Sequence, residues 1–125
     1  PATDAPPSRR NQPRLIPDEV AILSVDQLQI SFINTGGTLI YLGHEEGKEN
    51  QMRIEMRSQP TLEKGTDGYV FAKGTQLSYS LRGTDVNALG YQFKIRFRDE
   101  AGNTYFQEIQ GIAKEIPFIS RPVKE

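Results

Sequence analysis

The chain has 125 residues and contains no cysteine, no tryptophan and one histidine. Without cysteine there are no disulfides and no thiolate metal sites, although this alone does not fix a compartment. With one histidine a zinc cluster of several imidazoles is not expected. A Ser-His-Asp triad would have to use His44, and no nucleophile-elbow motif accompanies it. The missing tryptophan removes the usual sugar-stacking platform of a glycosidase, whose paired carboxylates must also face each other across a cleft. Phosphate-loop, dinucleotide and GxSxG signatures are absent.

Charge of one sign is also lacking. Lys and Arg number 15 against 16 Asp and Glu, a net charge of -1. No global electrostatic case for nucleic acid follows from that balance. No apolar run approaches the roughly 20 residues of a membrane helix, and no secretory signal is visible. The first residue is Pro1 rather than Met, which reads as a processed or excised product. Any membrane association is therefore expected only through a segment outside this sequence.

Alternation of apolar and polar residues is what the chain has in abundance. Tyr91, Phe93, Ile95 and Phe97 alternate with Gln92, Lys94, Arg96 and Arg98. That is the pattern of a strand with one buried face. Asp99 to Asn103 supply turn chemistry, and residues 104–112 can return as the second arm of a hairpin. Earlier, Leu28, Ile30 and Phe32 alternate with Gln27, Gln29 and Ser31, after a first candidate strand at residues 20–25. Asn34-Thr35-Gly36-Gly37 ends that run with residue types that tolerate positive φ. Residues 38–42 are a continuous apolar run, expected to be buried on both faces. Ile54 and Met56, then Leu77, Tyr79 and Leu81, mark further strands. No segment sustains a helical period. About eight strands at this spacing predict an all-β sandwich. Its expected core is Leu28, Ile30, Phe32, Ile54, Leu77, Tyr79, Phe93, Ile95 and Phe97.

Residues 1–17 differ from the rest. Pro1, Pro6, Pro7, Pro13 and Pro17 are five of the eight prolines, and Arg9, Arg10 and Arg14 add positive charge. Such a stretch buries too little apolar surface to offset its ordering entropy. It reads as a proline-rich linker, with residues 18–125 forming the domain.

Candidate binding residues lie in two groups. His44, Glu45 and Glu46 sit in a stretch, residues 43–50, that reads as a polar loop, where His44 is expected as an exposed residue. Lys94, Arg96 and Arg98 form a basic row on the solvent face of their strand. This row could meet an anion or an acidic partner, or be offset by Gln107 and Glu108 across the hairpin. Loops at residues 43–50, 58–68 and 82–90 are the expected binding loops, because scaffolded loops carry function. Asp99, Glu100 and Asn103 are explained by the turn and do not match a calcium loop. No metal and no cofactor is expected.

The strand running into Asn-Thr-Gly-Gly over residues 28–37, and the Asp-x-x-Gly-Asn turn followed by Tyr over residues 99–105, resemble features of bacterial immunoglobulin-like accessory domains. The resemblance covers roughly residues 20–115. It implies a single immunoglobulin-like β-sandwich of about seven or eight antiparallel strands, often tethered by a polar stretch to a membrane anchor in the cell envelope. That class has no common catalytic site, so the resemblance carries no functional residue across. The missing Cys and Trp depart from antibody-type domains, whose disulfide pins a core Trp. The function expected is a non-enzymatic protein-interaction or regulatory domain of a larger bacterial protein or assembly, with a protein partner. Alternatives are a carbohydrate-binding module, which needs an exposed row of Tyr41, Tyr69 or Tyr105, and a structural subunit of a phage or cell-surface assembly.

Overall fold

A computed structural model describes residues 12–47, 52–57, 61–62 (backbone only) and 69–125. Among them there is no helix. The strands are β1 (Leu15–Ser24), β2 (Gln27–Asn34), β3 (Leu39–Glu46), β4 (Arg53–Met56), β5 (Thr61–Leu62), β6 (Tyr69–Phe71), β7 (Gln76–Arg82), β8 (Gly90–Arg98), β9 (Thr104–Ile112), β10 (Phe118–Ile119) and β11 (Val123–Lys124). These eleven segments exceed the seven or eight expected, because short edge pieces carry too few residues to show a period.

Two antiparallel sheets face each other. One has the order β1-β2-β7-β4, and the other β10-β9-β8-β3-β6-β5, with β11 also pairing β9. Every residue expected in the core is at most 3% exposed. Alternation fills the space between the sheets, as in other face-to-face sandwiches. The centre is aromatic. Tyr79 of β7 meets Phe93 of β8 edge-on at 5.1 Å, and Phe32 of β2 meets both at 6.2 and 6.4 Å. Such tilted pairs are worth about 0.5–1.5 kcal/mol each beyond their burial.

The linker boundary differs from the sequence reading. Residues 1–11 lie outside the described residues, but Leu15 to Pro17 are the opening of β1. Leu15 is 1% exposed, and its backbone is held by the buried Gln107. Prolines flanking Leu15 and Ile16 hide this from a compositional reading. The C-terminal tail is likewise ordered as β10 and β11. It lies on the far side of β9, with Phe118 opposite Gln110 and Lys124 opposite Tyr105.

The Asn-Thr-Gly-Gly turn forms, though not by positive φ. Positive φ occurs at Gly43, Gly74, Gly102 and Ala113. Asn34 instead acts as a buried hub. Its Oδ1 accepts from the Arg14 and Gly36 amides, and its Nδ2 donates to the Gly37 and Phe71 carbonyls. Gly36 is required because a Cβ there would overlap the backbone carbonyl of Gln12. At the hairpin tip the expected chemistry holds. Gly102 adopts φ +93°, and buried Asp99 accepts from the Asn103 amide at 2.8 Å and from the Tyr105 hydroxyl at 3.2 Å.

Burial holds the core phenols un-ionised. Desolvation pushes Tyr91 up to about 12 and raises Tyr79 well above the usual phenol range; it also raises Tyr41, which a bond from Tyr79 partly opposes. A phenol with a raised folded value stabilises the fold fully below its unfolded value of about 10. That contribution is lost as pH rises through the folded value. The protein is expected to keep its stability up to about pH 10 and lose it between there and about pH 12. Most of the tyrosinate absorbance should then appear together with the loss of far-ultraviolet circular dichroism, because four of the five tyrosines are buried and only Tyr69 is exposed. Phenol ionisation well before loss of the strand signal would show that these hydroxyls are accessible in the folded protein.

Candidate functional site

The residues singled out in the sequence converge on β3, β8 and β9, but on two different faces. A β-bulge in β3 separates them. Tyr41 pairs with Phe97 and Gly43 with Arg96, so Leu42 is the extra residue. Gly43 takes φ +143°, a conformation that suits glycine and is strained for other residues. An extra residue shifts the side-chain parity of everything beyond it. Tyr41 and His44 therefore both turn inward, and Glu45 turns outward.

His44 is thus part of strand β3 and half-buried, a correction to its reading as an exposed loop residue. Its ring packs edge-on against Tyr79 at 5.4 Å and Phe93 at 6.3 Å. Nε2 lies 3.1 Å from the Ile54 carbonyl oxygen. A carbonyl only accepts, so Nε2 carries the proton. Nδ1, 3.0 Å from the Tyr41 hydroxyl, is then the acceptor, and Tyr41 in turn accepts from Tyr79 at 3.2 Å. This chain Tyr79–Tyr41–His44–Ile54 crosses from one sheet to the other and back. Glu46 completes it, accepting from the Ile54 amide at 3.1 Å. Both backbone groups of Ile54, on terminal strand β4, are consumed by side chains of β3.

The opposite side of the sandwich repeats the device. Gln107, fully buried in β9, accepts from the Leu15 amide at 2.8 Å and donates to the Leu15 carbonyl at 3.0 Å. It also donates to the Ser120 carbonyl at 2.7 Å. Gln107 lies opposite Ile95, on the inner face, so it does not offset the basic row. Glu108 does, lying opposite Lys94.

On the outer face, Lys94 stands between Glu45 and Glu108 in register, with its ammonium 4.4 Å over the Phe106 ring. Arg96 makes a bidentate pair with Glu125, both contacts at 2.8 Å, and lies 3.7 Å from Glu45. These bonds draw the Glu125 carboxyl below its ordinary value. Arg98 faces Ile40 and Thr104 further along β8. The row that reads as basic in sequence is therefore interleaved with carboxylates. A shallow depression of about 260 Å³ sits at its end, lined by Glu45, Glu46, Gln92, Phe93, Lys94 and Glu108. It gathers Glu45, Glu46 and Lys94, and leaves out His44, Arg96 and Arg98. No group of three or more metal-ligating side chains converges among the described residues.

Sequence reasoning missed a different surface. Ile22, Leu23 and Val25, at the end of β1 and its turn, are 37%, 54% and 63% exposed. Ile112, Ile116 and Phe118, around the turn from β9 to β10, are 49%, 78% and 67% exposed. β1 and β10 adjoin, and both segments reach the same end of the sandwich. The signal was available in the uncharged run from Val20 to Val25, which reads equally well as an ordinary strand. Of the expected binding loops, the one at residues 82–90 is partly spent on the fold. Val86, in the 82–90 loop, is fully buried and its amide donates to the Val25 carbonyl. Residues 48–51, 58–60 and 63–68 lie outside the described residues. Of the three tyrosines a sugar platform would use, Tyr41 and Tyr105 are buried and Tyr69 is exposed.

No protein family, no curated protein and no solved structure matches this chain. The site therefore rests on its geometry. Replacing His44 by Phe keeps the ring packing and orphans both the Ile54 carbonyl and the Tyr41–Tyr79 hydroxyl pair. The expected loss is about 2–4 kcal/mol, read by urea unfolding. A variant as stable as the parent would show that the chain of hydrogen bonds carries no net stability.

Proposed function

We propose that this chain is a non-enzymatic protein-interaction domain on an immunoglobulin-like sandwich, serving as an accessory module of a larger bacterial assembly at the cell envelope. The observation that carries the interaction reading is the apolar corner formed by Ile22, Leu23, Val25, Ile112, Ile116 and Phe118. Large apolar residues exposed on two segments at one end of a sandwich, with Asp26, Lys114 and Glu115 among them, mark an interaction surface. The non-enzymatic part is supported by the chemistry of the candidate site. The sole imidazole has both nitrogens engaged inside the sandwich, and Glu45 and Glu125 of the outer face pair with Arg96.

Strand order supports the immunoglobulin-like part. β1-β2-β7-β4 follows the A-B-E-D order of a constant-type domain, and β9-β8-β3 follows G-F-C. β5 and β6 are then an inserted pair, and β10 and β11 an added edge. Phe32 and Phe93, on the strands that carry the antibody disulfide, meet at 6.4 Å. Tyr91 stands two residues before Phe93 near the start of β8, the spacing of a tyrosine corner, but its hydroxyl lacks the backbone hydrogen bond of that motif.

A photoreactive residue at Val25 or Ile116, both well exposed, tests the reading in the organism that makes the protein. The expected result is one discrete cross-linked protein from both positions and none from Lys94 on the outer face. Cross-links from Lys94 alone, or none at either corner position, would overturn it. Selective binding to a glycan array would favour the carbohydrate reading instead.

A further inference from the structure

Resting on the interaction reading, the identity of the occupant can be narrowed by asking which sheet edges are open. Terminal strands expose unpaired backbone groups, and proteins close them to prevent unwanted pairing. Here β4 is closed at Ile54 by His44 and Glu46. The first part of β1 is closed at Leu15 by Gln107 and interrupted by Pro17. β10 and β11 are broken by Pro117 and Pro122. The side chains of β5 lie outside the described residues. The second part of β1, residues 19–24, has no such closure: β10 adjoins β1 but is not hydrogen-bonded to it. It is uncharged from Val20 to Ser24, rich in β-branched and aliphatic residues, and flanked by the apolar corner. Such an edge is the template for strand addition, in which main-chain bonds give affinity and alternate side chains give selectivity.

Charge selects among occupants. Asp18 and Glu19 stand at one end of this edge and Asp26 at the other, and β1 contains no Lys or Arg. Asp18 accepts from Gln76, and Asp26 is drawn towards Ser24 and Arg82, which lies two strands in from the edge. A second copy pairing antiparallel through the same edge would set the Asp26 end of each molecule against the Asp18–Glu19 end of the other. Like charges so placed are destabilising, and opposite charges contribute. We propose that the edge of β1 over residues 19–24 takes up an extended apolar strand of a partner protein that carries Lys or Arg at both of its ends.

The test uses the full chain labelled with nitrogen-15 and a short peptide of alternating Val and Thr with Lys at both ends. The expected result is shifts and slowed exchange confined to the amides of residues 19–24 and the neighbouring corner. The same peptide ended by Glu should bind about fivefold more weakly. Leu23→Lys, at a position more than half exposed, should abolish binding without altering the folded spectrum. Should that variant misfold, Asp18→Asn, Glu19→Gln and Asp26→Asn together, all at exposed positions, should equalise the two peptides. Equal binding of both peptides to the parent, perturbation centred elsewhere, or no binding at millimolar peptide would overturn the proposal. So would concentration-dependent self-association that protects these same amides, which would make a second copy the occupant. A peptide failure alongside specific cross-links at Val25 would sink this inference and leave the interaction reading standing.

Discussion

Side chains from one sheet satisfy the backbone of the terminal strand of the other, and the rest of the structure depends on this. Gln107 reaches from β9 to Leu15, and His44 with Glu46 reach from β3 to Ile54. A sandwich has two open flanks, and each would otherwise leave amide and carbonyl groups half-dry and unpaired. An unsatisfied buried polar group costs about 1–3 kcal/mol. An amide side chain serves well at Leu15 because it offers a donor and an acceptor side by side, as a neighbouring strand would. At Ile54 the same two roles are divided between an imidazole and a carboxylate.

The aromatic centre and the two flanks constrain one another. Tyr79 and Tyr41 can be buried because their hydroxyls form a chain that ends on the Ile54 carbonyl through His44. His44 can face inward because the bulge at Gly43 resets the parity of β3. Tyr91 is the exception to this accounting. Its ring lies across β9 so closely over Gly111 that a Cβ there would overlap it, and its hydroxyl has no hydrogen-bond partner. Glycine at position 111 is thus a packing requirement, and the ring restores the apolar cover that glycine lacks.

The sandwich core was legible in the sequence because its signal is local. Leu28 to Phe32, Leu77 to Leu81 and Tyr91 to Phe97 alternate without interruption, and all bury the expected face. The Asp99–Asn103 hairpin tip was legible for the same reason. His44 was not, since a single inserted residue inverts its direction and nothing in Gly-His-Glu-Glu announces the bulge. Gln107 was not, because a glutamine at an inward position looks like an error of alternation until its partner, 92 residues away, is known. The pairing of Arg96 with Glu45 and Glu125 depends on strand neighbours that a linear reading does not supply. The edge left open in β1 was visible only after the other described edges were accounted for.

Native-state hydrogen exchange at single amides tests the edge-closure account most directly. Terminal strands normally exchange early because their outward amides face water. The account predicts that Leu15 and Ile54, although on terminal strands, exchange as slowly as the core amides of β2 and β8. It predicts in the same experiment that the outward amides of residues 19–24 exchange fast in the isolated protein. Rapid exchange at Leu15 and Ile54, or uniform protection along all of β1 in a monomer, would contradict it.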